Sequence, residues 1–163
     1  MPKKSSAVSK TSKLEIVILA AGLGTRMKSP LPKVLHEVCG ISMLELLLTA
    51  LSDSPSAKDI VSFNIVVGYE KQTVIDQVKK FASRLSAPVF FSTQAEQLGT
   101  AHAVSCALAE SDHRPADAVV QADTIAVFNG DLPLFTPGAF EEFLAAHAAA
   151  KSSATMATTE LPD

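Results

Sequence analysis

Short apolar runs alternate with longer stretches whose leucines, valines and phenylalanines recur at helical spacing, and this alternation constrains the 163-residue chain to a parallel sheet with helices on its faces. Residues 15–21 read as the first strand. Ser42 and Glu45 have capping-box spacing ahead of a helix that puts Leu44, Leu47, Leu48 and Leu51 on one face. Residues 63–67 make a second strand. Val74, Val78, Phe81 and Leu85 mark a second helix, residues 89–92 return to the sheet, and Ala101, Val104 and Leu108 mark a third helix. Residues 124–128 form a further strand. Thr136 then precedes Pro137 as an N-cap before a proline at the first helical position, and Phe140, Phe143, Leu144 and His147 line that helix. A last strand is expected over residues 154–159. The expected class is α/β: a Rossmann-like, mostly parallel sheet with helices on both faces. A 47% apolar content with only 6% aromatic residues and no tryptophan agrees with such a sheet.

Within this frame, residues 16–33, IVILAAGLGTRMKSPLPK, run an apolar strand into a glycine-rich loop carrying Arg26, Lys28 and Lys33. Gly22 and Gly24 are expected to adopt positive φ and to bring backbone N–H donors against phosphate oxygens. A dinucleotide fingerprint would need a glycine where Met27 stands and a helix that Pro30 and Pro32 forbid. No Gly-Lys-Ser or Gly-Lys-Thr occurs, which excludes a P-loop. The residues alone leave two readings, a polyphosphate loop or a plain Gly/Pro turn leaving a buried strand.

This loop, Leu19 to Met27 followed by Leu31, Pro32 and Lys33, resembles the signature of the sugar nucleotidyltransferases, and most of all the uridylyltransferase domain of the bifunctional bacterial enzymes that make UDP-N-acetylglucosamine. Two further segments follow in the same order. QAEQLGTAHA, residues 94–103, is similar to the family's base-reading loop, although by itself it also reads as a polar loop with Gly99 and Thr100 opening a helix. An amide there offers a donor and an acceptor to the uracil edge. VFNGDLPL, residues 127–134, ends a strand at Asn129, Gly130 and Asp131. Asn-Gly also suits a hairpin turn, but Pro133 and Pro137 interrupt any returning strand.

The resemblance implies a nucleotide site built from Leu19, Ala20, Ala21, Gly22, Gly24, Thr25, Lys33, Gln94, Gly99, Thr100, Asn129, Gly130 and Asp131. It implies Arg26 and Lys33 as catalytic cations and Asp131 as the ligand of Mg²⁺. Gln97 is a secondary candidate near the base, and Lys28 a solvated loop lysine. The implied reaction joins UTP and N-acetylglucosamine 1-phosphate into UDP-N-acetylglucosamine and pyrophosphate, for cell-wall precursor synthesis. A relative with another nucleotide or sugar and a non-catalytic nucleotide-binding module stand as alternatives. The resemblance further places the family's sugar-binding residues and a second metal ligand beyond Asp163, so that the sequence supplies the nucleotide-binding part of the domain.

Residues 1–13, polar and lysine-rich, read as a tail, and residues 14–163 as one nucleotidyltransferase domain. The apolar run after the tail is too short for a signal peptide and no stretch suits a membrane span, so a cytoplasmic location is expected. A net charge of −3 argues against general nucleic-acid binding. Cys39 and Cys106 lack any metal or disulfide spacing, and the four histidines, His36, His102, His113 and His147, receive no role. A homo-oligomer is compatible with the sequence.

Overall fold

The computed structural model describes residues 12–22, 24, 27–109 and 122–158. Its elements follow in the order β1 (Leu14–Ala20), β2 (Glu37–Val38), β3 (Ile41–Ser42), α1 (Met43–Ser52), β4 (Ile60–Val67), α2 (Lys71–Lys79), β5 (Val89–Thr93), α3 (Thr100–Leu108), β6 (Thr124–Asn129) and α4 (Pro137–Ala150).

Four strands form one parallel sheet in the order β5-β4-β1-β6. The chain steps outward from β1 to β4 and β5, then crosses back over the sheet to place β6 on the other side of β1. This reversal assigns the helices to opposite faces, since parallel crossovers keep one hand. Leu14, Ile16, Ile18 and Ala20 of β1, with Phe63, Ile65 and Val67 of β4, meet the leucines of α1, Val74 and Val78 of α2, and Phe140 of α4. Val17 and Leu19 of β1 and Val66 of β4 meet Ala103 and Ala107 of α3 on the other face. Central strands buried on both sides are why β1 and β4 read as nearly continuous apolar runs.

Local chemistry sets most boundaries. Ser42 Oγ accepts from the Glu45 backbone N–H at 3.2 Å, and Thr136 Oγ1 accepts from that of Ala139 at 3.2 Å, so both expected N-caps are present. All four stripe leucines of α1 are fully buried. The second helix is shorter than its stripe suggests, because Phe81 leaves the helical path and residues Ala82–Arg84 form a 3-10 turn. In α3 the buried stripe is Ala103 and Ala107, while Leu108 is exposed; small side chains let this helix approach the sheet closely. β2 and β3 form a short antiparallel hairpin, unforeseen from sequence, through Cys39 and Gly40 at φ 54° and 81°. Residues 154–158 are irregular and exposed rather than the expected strand.

Residues 1–11 of the expected tail lie outside the described residues. Ser12 and Lys13 lie against the start of β6, with Lys13 N–H donating to Asp123 Oδ2 at 3.1 Å. Among the described residues, no helix is long and apolar enough to cross a membrane.

Candidate functional site

Strand register brings the three singled-out segments together. Leu19 pairs with Asn129 across β1 and β6, Ala20 with Val67 across β1 and β4, and Val67 with Thr93 across β4 and β5. The residues that follow, from Ala21, Gln94 and Gly130 onward, therefore leave the same edge of the sheet. That edge holds the carboxyl ends of the strands, and the reversal of direction between β1 and β6 opens a crevice there. A cleft of about 480 Å³ occupies it. Leu19, Ala21, Gly22, Gly24 and Lys33 line it from the first segment, Gln94, Gly99 and Thr100 from the second, and Asn129 and Asp131 from the third.

Not every expectation holds in detail. Gly24 has φ +58°, and a Cβ there would stand 2.9 Å from Lys33 Cβ, so this position demands glycine. Gly22 does not adopt positive φ, contrary to expectation, and has open space around it. Ala20 is buried in the core rather than lining the cleft. Gly130 does not line the cleft either; its N–H donates to Leu19 O at 3.0 Å, and a Cβ would meet Val34 Cγ1 at 2.9 Å. The Asn-Gly pair thus ends a parallel strand that is bonded to β1 and makes no hairpin. Thr25 and Arg26 lie outside the described residues.

Cations and carboxylates meet at one point. Lys33 Nζ is ion-paired with Asp131 Oδ2, both side chains being partly exposed. Asp131 is the single carboxylate among the described residues that line the cleft, and no group of three or more His, Cys, Asp or Glu that could hold a metal occurs among the described residues. A closed, all-protein metal cage is thereby absent from that set. The donor chemistry instead suits Mg²⁺, which is commonly held by one or two carboxylates with phosphate oxygens and water completing its shell.

The second segment is tied down by its own side chains. Gln97 Nε2 donates to Ala21 O at 2.9 Å, linking this loop to the end of β1. Gln94 is 5% exposed; its Nε2 donates to Gly99 O at 3.0 Å and lies 3.1 Å from His102 Nδ1. The donor half of the Gln94 amide is thus used internally, so only its carbonyl half is left for a ligand. Gly99, at φ +93°, is the N-cap of α3, and it lines the cleft together with Thr100, the first residue of that helix. Val34, Ala103 and Gln97 complete the lining. The first two carry no motif signal, because their place follows only from how the loop and α3 pack.

A doubly wound parallel sheet with a glycine-rich loop, an amide and a carboxylate gathered at its switch point defines a nucleotide-binding α/β domain of the nucleotidyltransferase class. The model of the MobA-like NTP transferase domain matches residues 16–161. The chain belongs to that family.

Two curated relatives are bifunctional GlmU proteins. That of Mycolicibacterium smegmatis is 36% identical over 148 residues, which are 91% of this chain and 29% of that protein. That of Levilactobacillus brevis is 41% identical over 147 residues, 90% of this chain and 28% of that protein. The chain therefore spans less than a third of the length of these relatives. Among solved structures, a UDP-glucose pyrophosphorylase complexed with UDP-glucose superposes with a TM-score of 0.61 at 15% identity, covering 85% of this chain and 54% of that one. At that identity the likeness concerns the fold.

Proposed function

We propose that the chain transfers a uridylyl group from UTP to N-acetylglucosamine 1-phosphate, releasing pyrophosphate and forming UDP-N-acetylglucosamine, a precursor for the bacterial cell wall. The observation that carries this reading is the convergence of Gly24 and Lys33, Gln94 and Thr100, and Asn129 and Asp131 on one cleft, combined with identity to GlmU proteins over some nine-tenths of the chain.

In this reaction a phosphate oxygen of the sugar 1-phosphate attacks the α-phosphorus of UTP in line. The bond from that phosphorus to the bridging oxygen breaks, and pyrophosphate leaves with the electron pair. Little covalent assistance is required, so positioning and charge neutralisation dominate. Lys33 neutralises charge that builds on the α-phosphate and the leaving group. Backbone N–H groups at Gly22 and Gly24 hold the outer phosphates. Asp131 would hold Mg²⁺, which supplies Lewis-acid neutralisation of phosphate oxygens when bound. Gln94 and the first-turn N–H groups of α3 orient the base.

A second reading is binding of the magnesium nucleotide without transfer. It is favoured by Asp131 being the only carboxylate lining the cleft among the described residues. Pyrophosphate release from UTP and N-acetylglucosamine 1-phosphate with Mg²⁺ separates the two. Release that is lost in Asp131→Ala supports transfer. Saturable binding of Mg-UTP by folded protein, with no release, supports the second reading, and neither binding nor release rejects both.

A further inference from the structure

Four hydrogen-bonding groups, Gly99 O, the Gln94 amide, the His102 ring and Cys106 Sγ, form a chain that runs back from the cleft and whose polarity is set at one end. Gly99 O can only accept, so the Gln94 group 3.0 Å from it must be the NH₂. The second hydrogen of that NH₂ points to His102 Nδ1, 3.1 Å away, which must then offer a lone pair. A neutral imidazole with Nδ1 unprotonated carries its proton on Nε2. Cys106 Sγ, one helical turn along α3, lies 3.7 Å from that Nε2 and receives it. With both amide hydrogens engaged, Gln94 retains its Oε1, which accepts from no described residue, in a side chain that lines the cleft.

We propose that His102 is a positioning residue for base specificity: its Nδ1 lone pair holds Gln94 with Oε1 toward the cleft, selecting a base with a ring N–H. Uracil carries such a donor at N3, whereas cytosine has a lone pair there and would face Oε1 acceptor to acceptor. Guanine shares the ring N–H and adenine lacks it, so this polarity separates uracil and guanine from cytosine and adenine. The geometry acts through Gln94, since His102 itself does not line the cleft. This inference rests on the nucleotidyltransferase reading.

Its test is calorimetric titration of the full chain with Mg-UTP and Mg-CTP, for the unsubstituted protein, His102→Ala and His102→Asn. Asparagine can return an acceptor near the Nδ1 position; alanine cannot. The unsubstituted protein is expected to prefer UTP. His102→Ala is expected to lower the UTP-to-CTP affinity ratio by roughly tenfold, the scale of one net hydrogen bond, and His102→Asn to keep most of it. The ¹⁵N spectrum of the His102 ring, which needs no variant, is expected to report a protonated Nε2 and a bare Nδ1.

A wild-type ratio in folded His102→Ala, an Nδ1-protonated ring, or a preference for CTP in the unsubstituted protein would each overturn the proposal while leaving nucleotide transfer standing. If His102→Ala does not fold, the His102→Asn ratio and the ring tautomer decide in the same way. Failure of the unsubstituted protein to bind either nucleotide overturns this proposal and the parent reading together.

Discussion

Lys33 and Asp131, 98 positions apart in sequence, meet as an ion pair in the cleft. The loop after β1 supplies the cation and the turn after β6 supplies the anion, and the two strands are hydrogen-bonded neighbours. On the proposed reading, a divalent cation held by Asp131 would compete with Lys33 for the carboxylate and would free the ammonium for phosphate.

Lys33→Ala should accordingly have two opposite effects. Turnover should fall about 10²-fold, on the order of 3 kcal/mol of transition-state stabilisation, as for loss of one preorganised donor. Binding of Mn²⁺ in the absence of nucleotide should tighten, because Asp131 loses its competitor. Steady-state kinetics and electron paramagnetic resonance titration measure these separately, and unchanged turnover would remove Lys33 from the chemistry.

Gly24→Ala should reproduce part of that loss without touching a charged group. The added methyl would sit in the left-handed region and press on Lys33 Cβ, at a cost of about 1–3 kcal/mol for the backbone alone. We expect a lower melting temperature together with reduced turnover. Gly22→Ala, placed in open space without positive φ, should leave stability nearly unchanged, so the pair of melting curves is its own control.

Gln97→Ala should weaken nucleotide binding through the loop rather than through direct contact. The hydrogen bond that its Nε2 donates to Ala21 O holds the second segment against the end of β1, and one such bond contributes about 1 kcal/mol. The predicted signature is a KM for UTP raised several-fold with kcat little changed. A fall in kcat at constant KM would instead place Gln97 in the transition state.

Leu48→Ala tests the scaffold. Leu48 is fully buried on α1 against the sheet, and truncation should destabilise the domain by about 2–5 kcal/mol. Chemical denaturation reads this directly. Native-state kcat should be retained at temperatures where the variant remains folded, since α1 lines no part of the cleft.

Much of the architecture was legible because local rules and tertiary demands agree. The Ser42 and Thr136 caps, the leucine stripe of α1 and the unbroken apolar runs of β1 and β4 each express a short-range periodicity or a single hydrogen bond. Glycine at 24 was legible because positive φ is a local steric demand, whereas the same expectation at Gly22 failed. The end of α2 and the buried stripe of α3 were less so. Phe81 leaves its helix yet stays in the core, and Ala103 rather than Leu108 is buried on α3, arrangements that depend on tertiary packing and not on apolar spacing.

By itself, the sequence determined the α/β class, the four strands of the parallel sheet and the four α-helices, and which residue types suit a polyphosphate, a base and a divalent cation. Only tertiary structure decided that they belong to one site, since strand order and register are long-range properties that set Leu19 beside Asn129. It likewise decided the pairing of Lys33 with Asp131 and the polarity of Gln94. Hydrogen-bond direction at Gln94 depends on Gly99 O and His102 Nδ1 converging on one amide, and the spacing of those residues specifies neither the distance nor the orientation. His102, inside the second singled-out segment but given no role there, acts through Gln94 on the proposed reading because the fold sets its ring 3.1 Å from that amide.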